Sequence, residues 1–91
     1  MRIDAQITFC LVADLAASSH FYGELLGLDL ALDQGTCRIF RTRPGAYLGF
    51  CEKVDAPRPE GVILTLVTDD VDGFAHMLRR RGVARIRGSA H

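Results

Sequence analysis

Residues 6–28 read QITFCLVADLAASSHFYGELLGL, and this stretch predicts a strand followed by a capped helix. The apolar, β-branched and aromatic run from Gln6 to Ala13 is typical of a strand that is buried on both faces. Asp14 directly precedes the next element, where its carboxylate can accept hydrogen bonds from the unpaired amides of a first helical turn. Gly27 is predicted to end that helix, because glycine readily adopts the left-handed conformation that follows a helix.

Three further strands are predicted after the helix, over residues 28–33, 36–42 and 46–52. Gly35 and Gly45 lie in the short turns between these segments, so consecutive strands are expected to pair as hairpins. With the opening strand and helix they form a β-α-β-β-β module over residues 6–52. Gly49, in the middle of the last strand, indicates a bulge or a place where another group approaches the backbone.

Side-chain alternation with a period of two assigns residues to the faces of these strands. The second strand is predicted to place its leucines on one side: Leu28, Leu30 and Leu32. The third strand is predicted to place alternate residues on one face and the rest on the other: Cys37, Ile39 and Arg41 against Arg38 and Phe40. Each strand would therefore present one face to a helix and one face away from it.

The opening pattern returns after a linker over residues 53–61. Residues 62–68 again predict a buried strand, Asp70 again precedes an amphipathic segment, and Gly82 ends it. The order of strand, acidic cap, helix and glycine indicates an internal repeat. The second copy, over residues 62–91, lacks the later strands that complete the first copy.

Length and composition exclude several classes of protein. The chain has 91 residues, 48% of them hydrophobic, with 11 Lys+Arg balanced by 11 Asp+Glu. This length supports one small globular domain and excludes a multidomain enzyme. Apolar runs are too short to span a bilayer, and zero net charge offers no attraction to nucleic acid. The first residues lack a signal-peptide pattern, so we expect a cytoplasmic protein with no membrane and no nucleic-acid partner.

The three cysteines, Cys10, Cys37 and Cys51, form no recognisable chemical motif. Their odd number and wide spacing match neither a disulfide framework nor a CxxC pair. Each lies in a strand-like apolar run, and no neighbouring histidine would activate a thiolate. They are interpreted as small buried hydrophobic residues in a reducing compartment.

The histidines and the arginine cluster are interpreted as solvated helix surface. His20 lies four residues before Glu24, so both share one exposed face, and His76 lies opposite the apolar stripe of the second helix. Five arginines gather towards the end of the chain: Arg79, Arg80, Arg81, Arg85 and Arg87. A nucleic-acid patch would need interleaved aromatic residues and a positive balance, whereas cations at a helix C-terminus are favourable in their own right.

Short motifs in both copies resemble the signature of the vicinal oxygen chelate superfamily, which includes glyoxalase I, bleomycin resistance proteins and extradiol dioxygenases. The first copy carries them as VADL at 12–15, FY at 21–22 and LLGL at 25–28. The second carries TDDVD at 68–72 and RGV at 81–83. The resemblance implies an α+β fold in which paired β-α-β-β-β modules of the glyoxalase/bleomycin resistance type form a cup.

This resemblance implies a single glyoxalase/bleomycin-resistance-like domain over residues 1–91, with the second module incomplete. We expect the cup to be completed by residues beyond this segment or by another chain. Unpaired strand edges and half of an apolar cup both favour association. A homodimer is therefore the predicted assembly.

The resemblance also places the superfamily's metal-ligand positions on Ile7, Gly49 and Ile63. None of these side chains can coordinate a divalent cation. We therefore expect no metal and no cofactor, as in the metal-free bleomycin-resistance type, and assign no catalytic residue. Whether the chain is an enzyme stays open, because a metal-dependent lyase, isomerase or dioxygenase of the same superfamily could draw its ligands from outside this segment.

One face of the predicted strands is expected to line the cup and to bind a ligand. The predicted ligand-binding residues are Ile7, Phe9, Cys37, Ile39, Tyr47, Gly49, Cys51, Ile63 and Thr65. This lining is apolar with one phenol and one hydroxyl, which suits an aromatic or amphipathic small organic molecule held by shape and a few polar contacts. The same residues are equally consistent with a packed core, in which case the chain would be a structural or interaction module.

Overall fold

In the computed structural model, which describes residues 1–55 and 64–83, the predicted β-α-β-β-β module forms a four-stranded sheet with a helical segment. Its elements are β1 (Gln6–Val12), α1 (Leu15–Ser19), a π-helical segment (His20–Leu25), β2 (Asp29–Asp33), β3 (Cys37–Arg43) and β4 (Ala46–Glu52). A later helix, α2, spans Val71–Arg80. The chain divides into two compact units, Met1–Glu60 and Gly61–His91.

The strands of the first unit are arranged in the order β1-β4-β3-β2. β1 runs parallel to β4, and the two remaining pairs are antiparallel. A parallel pair needs a crossover between its strands, whereas β2, β3 and β4 follow one another through short turns. The helical segment begins this crossover, so the order of elements along the chain accounts for the order of strands in the sheet.

The predicted start and end of the first helix are confirmed. The Asp14 carboxylate accepts a hydrogen bond from the Ala17 amide at 3.1 Å. Glu52, at the end of β4, adds a second acceptor, 3.3 Å from the Leu15 amide. After Ser19 the helix widens, with the Leu26 amide donating to the Phe21 carbonyl five residues back at 2.9 Å. Gly27 then adopts a φ of 76°, as expected of a helix-ending glycine.

The core of the first unit lies between the helical segment and one face of the sheet. Its buried apolar residues are Leu15, Phe40, Leu48 and Phe50, whereas Ile39 is buried on the opposite face of the sheet. Tyr22, from the π-helical segment, stacks on Phe50 with ring centroids 4.5 Å apart. Burial first, and the neighbouring Cys10 second, raise the pKa of the Tyr22 phenol above its ordinary value of 10.0. This phenol therefore stays neutral throughout the physiological range.

Arg38 ties the helical segment to the edge of the sheet. Its Nη1 donates to the Ser19 hydroxyl at 2.8 Å. Its Nε lies 3.3 Å from the Asp33 carboxylate in an ion pair, although the buried Nε–H has no hydrogen bond of good geometry within the described segments. The predicted division of β3 is thus confirmed, since Arg38 and Phe40 face the helix.

The expectation that β1 is buried on both faces is wrong. Ile7, Phe9 and Leu11 are 45%, 56% and 53% exposed. They share the sheet face opposite the helical segment, which covers only the other side. An apolar run of this length indicates a strand, but the run alone does not show whether a second layer covers it.

The prediction that the β2 leucines share one side is also wrong. Leu30 lies opposite Phe40, whereas Leu32 lies opposite Ile39, because the register shifts between the two leucines. Phe40 and Ile39 are adjacent in β3 and therefore face opposite ways. The extra residue in β2 forms a bulge, and side-chain alternation with a period of two does not predict one.

In the second unit, the predicted helix is confirmed and the predicted strand before it is not. Asp70 accepts a hydrogen bond from the Gly73 amide at 2.9 Å and caps α2, and Gly82 follows the helix with a φ of 92°. Residues 64–68 form no strand, and Val67 is exposed. Backbone groups become a strand only beside a pairing neighbour, and the described part of this unit, 64–83, contains none. The first residues of the predicted strand, 62–63, lie outside the described residues.

None of the helices in the described segments combines the length and apolarity needed to cross a bilayer.

Candidate functional site

The sheet face opposite the helical segment, here called the open face, is the candidate binding surface. The pairing register arranges its side chains in three rows that run across the strands. The polar row is Ile7, Tyr47, Arg41 and Asp29; the middle row is Phe9, Gly49, Ile39 and Leu32; the disulfide row is Leu11, Cys51 and Cys37. The open face is therefore apolar along its middle and polar at one end.

In the polar row, a charged pair joins the two strands of the β2–β3 hairpin. Arg41 Nη2 donates to Asp29 Oδ2 at 2.9 Å, across β3 and β2. Tyr47 lies opposite both Arg41 and Ile7 in the register, and it is half-buried. The phenol thus lies between an aliphatic and a cationic neighbour.

In the middle row, the ring of Phe9 lies over Gly49. A Cβ placed on Gly49 would be 2.5 Å from the Phe9 ring, closer than any real contact. The register is continuous through Gly49 in both neighbouring pairs, so this glycine marks a close approach and not a bulge. The absent side chain lets an exposed aromatic ring approach the backbone of the sheet closely.

The disulfide row corrects the interpretation of the cysteines. Cys37 and Cys51 are directly opposite in the register, with Cα atoms 4.1 Å apart, and their sulfurs form a disulfide. The interpretation of Cys37 and Cys51 as reduced thiols is wrong. Cys10 has a free thiol and is half-buried. Their separation along the chain suits two strands joined by a turn. Pairing depends on register, however, because a slip of one residue would place the two sulfurs on opposite faces.

Most of the predicted ligand-binding residues come together on the open face. Seven of them lie there: Ile7, Phe9, Cys37, Ile39, Tyr47, Gly49 and Cys51. Thr65 belongs to the second unit, in a segment that is not a strand, and Ile63 lies outside the described residues. The first module therefore supplies the whole of the site that can be described.

Four open-face residues are absent from the predicted ligand-binding set. Alternation in the sequence already places Leu11 with its β1 neighbours on the cup face and Arg41 with its β3 neighbours on one face. Asp29 and Leu32 reach the open face through the β2 bulge and through pairing with β3. Their position could not be found without the register.

The residues at the superfamily's metal-ligand positions do not fit a metal ion. Ile7 has an aliphatic side chain, and the Phe9 ring covers Gly49, where a ligand side chain would have to stand. Within residues 1–55 and 64–83, no three His, Cys, Asp or Glu side chains come close enough together to hold an ion. The open-face residues can make apolar contacts, stacking contacts and hydrogen bonds.

One acid–base pair lies away from this face. His20 Nδ1 and Glu24 Oε2 are 2.8 Å apart, and both side chains are exposed on the π-helical segment. The prediction that they share an exposed surface is confirmed. Because the helical segment covers the opposite side of the sheet, this pair has no access to the open face.

Comparison with known proteins identifies the fold. No protein-family model and no curated protein sequence matches the chain. Among solved structures, a bleomycin resistance determinant encoded on the transposon Tn5 has a TM-score of 0.71 at 18% identity, over 94% of this chain and 71% of its own. A glyoxalase/dioxygenase from Nostoc punctiforme has a TM-score of 0.68 at 18% identity, over 96% and 74%.

An integron cassette protein from the mobile metagenome of a Halifax Harbour sewage outfall has a TM-score of 0.69, also at 18% identity, over 88% of this chain and 72% of its own. These structures carry the fold of the vicinal oxygen chelate superfamily. The expected α+β fold, a partial module of the glyoxalase/bleomycin-resistance type, is thereby confirmed.

Proposed function

We propose that this chain, which has the fold of glyoxalase and bleomycin-resistance-type proteins, binds a small aromatic or amphipathic molecule on its open face without a metal ion. The observation that carries the proposal is the Phe9 ring, which is exposed and lies over Gly49. An exposed aromatic ring is a stacking surface for another ring. Ile7 and Leu11 extend it on the same strand.

A ligand on the open face would cover apolar surface that is otherwise exposed to water. Covering apolar surface contributes about 25 cal/mol per Å². Aromatic stacking adds about 0.5–1.5 kcal/mol to that burial. Exposed side chains of Ile7, Phe9 and Leu11 lie side by side on one strand, and such contiguous patches mark binding surfaces more often than scattered apolar residues do.

The proposal predicts that aromatic ligands raise the melting temperature and that Phe9→Ala largely removes the effect. A ligand at about one hundred times its Kd stabilises the folded state by about 2.7 kcal/mol. A thermal-shift screen with neutral and charged aromatic compounds measures this, and calorimetry gives the Kd for each hit. Phe9→Leu separates the two contributions, because it keeps apolar area but removes stacking.

Phe21→Ala is the matched control, since this aromatic residue lies on the helical side, edge-to-face with Tyr22 at 5.1 Å. It is expected to lower the melting temperature of the free protein while leaving the ligand-induced shift in place. Equal loss of binding in Phe9→Ala and Phe21→Ala would contradict the proposal. So would stoichiometric Fe, Mn, Ni or Zn in the purified protein, which would favour metal-dependent chemistry instead.

We also propose that the chain forms a homodimer that closes the open face into a cup. β1 is an edge strand, and its outer backbone edge has no strand partner among residues 1–55 and 64–83. Together with the exposed side chains of the same strand, this edge favours association with a second copy. Light scattering is expected to give about twice the chain mass of 10.0 kDa. A monomer of normal stability over a wide concentration range would contradict the assembly.

A further inference from the structure

We infer that the ligand of the open face carries a carboxylate, which Arg41 and Tyr47 bind at the polar row while its aromatic body lies against Phe9. This inference rests on the proposed function and names the chemical class of its ligand. The supporting observations are the donors left over in the polar row, the weakness of the ion pair that holds Arg41, and the distance between two rows.

Arg41 has donors to spare. A guanidinium offers five N–H groups in a planar fork. The described part of the chain gives Arg41 a single partner, the Asp29 carboxylate, through Nη2. The side chain is about half exposed, so the remaining N–H groups are accessible from the open face. A planar fork of this kind matches the two oxygens of a carboxylate.

Asp29 orients the Arg41 guanidinium but accepts a hydrogen bond from only part of it. The Asp29 side chain is largely exposed, and exposed ion pairs contribute little stability because water screens them. A ligand carboxylate can therefore add to the free edge of the guanidinium or replace Asp29 on it. The pairing restricts the Arg41 side chain beforehand, which lowers the entropy lost when a ligand binds.

Tyr47 supplies the second donor. It is the neighbour of Arg41 in the register, and within residues 1–55 and 64–83 its hydroxyl makes no hydrogen bond. A phenol O–H beside a guanidinium presents two donors to one acceptor group. Neutral aromatic compounds would leave most of these donors unused, whereas an oxyanion accepts from both.

The spacing of the rows sets the shape of the ligand. Tyr47 and Gly49 are two residues apart on β4, so the polar row and the middle row are separated by about 7 Å. Phe9 lies over Gly49 and marks the position of the aromatic body. A ring bearing a short chain that ends in a carboxylate extends from the middle row to Tyr47 in the polar row, and 3-phenylpropanoate is the simplest such probe.

The test compares 3-phenylpropanoate with its amide, 3-phenylpropanamide, by calorimetry at pH 7. Binding of the carboxylate is expected to be at least about ten-fold tighter, the size of effect given by a hydrogen bond to a charged group. Arg41→Gln is expected to abolish this preference by weakening carboxylate binding, with amide binding unchanged. Tyr47→Phe is expected to reduce the preference in part.

Two further variants separate ligand recognition from structure. Arg43→Gln removes the same charge from the same strand, but Arg43 lies opposite Ala46, beyond an irregularity that takes it out of the polar row, so the preference is expected to survive. Asp29→Asn removes the competing negative charge and is expected to tighten carboxylate binding. A purely structural role for the pair would give loss of binding in both Arg41→Gln and Asp29→Asn.

The outcomes distinguish this inference from the proposed function. If the acid and the amide bind equally and with the same dependence on Phe9, the carboxylate inference is overturned and the open-face site remains. If the acid binds tightly but Arg43→Gln weakens it as much as Arg41→Gln does, the attraction is a general charge effect and the inference fails. If neither compound binds at any concentration tested, while other aromatic compounds do, this ligand class is wrong.

Discussion

Replacing Phe50 with alanine is expected to lower the free energy of unfolding by about 3–5 kcal/mol, the range found when large aromatic residues are removed from cores. Phe50 is 2% exposed on β4, it stacks on Tyr22, and its ring centroid lies 6.2 Å from that of Phe40. The substitution would leave a cavity between the helical segment and the sheet. Small domains have about 5–15 kcal/mol of stability in total, so the loss would be a large fraction of it.

Urea unfolding followed by circular dichroism measures this change. Phe9→Ala is the matched control, because it deletes the same side chain from the open face of neighbouring β1. We expect a loss below about 1.5 kcal/mol there, since little buried area disappears when the ring is already exposed to water. Equal losses in the two variants would show that Phe9 belongs to the core and that the open face is covered.

Breaking the Cys37–Cys51 disulfide is expected to destabilise the first unit by about 3 kcal/mol, the entropy contribution of a crosslink that closes about 15 residues. The bond ties β3 to β4 across directly opposite positions and so restricts the unfolded hairpin. Loss of 1 kcal/mol lowers the melting temperature of a small domain by roughly 4–8 °C. Reduction should therefore lower the melting temperature by about 12–24 °C.

Melting curves with and without dithiothreitol give the result. Cys37→Ser with Cys51→Ser should melt like the reduced protein and show no response to reductant, whereas Cys10→Ser should keep the full response. Thiol titration of the unreduced, denatured chain should find one of the three cysteines free. Three free thiols, or identical melting of the oxidised and reduced forms, would contradict the crosslink.

The disulfide also changes what the cysteines indicate about the redox compartment of the protein. Their interpretation as buried thiols supported a reducing compartment, and the Cys37–Cys51 bond removes that support. Structural disulfides persist in oxidising environments and are reduced in the cytosol unless they are well protected.

Local signals in the sequence predicted the elements correctly wherever their hydrogen bonds are made within a few residues. Asp14 and Asp70 cap helices through amides three residues away, and Gly27 and Gly82 end them with positive φ values. The same holds for β3 and β4, whose alternation and turn glycines lie close together in the chain. The superfamily motifs consist of these same local signals. The resemblance could therefore be recognised from the sequence, and it predicted the fold.

Pairing between strands determined most of the features that the local signals did not predict. The β2 bulge, the Cys37–Cys51 bond and the Arg41–Asp29 pair all depend on which residues lie opposite one another. The exposure of β1 depends on which face of the sheet the helical segment covers. Residues 64–68 form no strand, and the described part of their unit, 64–83, contains no strand with which they could pair. Helix caps and turns are short-range, so a single sequence specifies them. Register and burial are sums over distant segments, and they are determined only when the sheet has assembled.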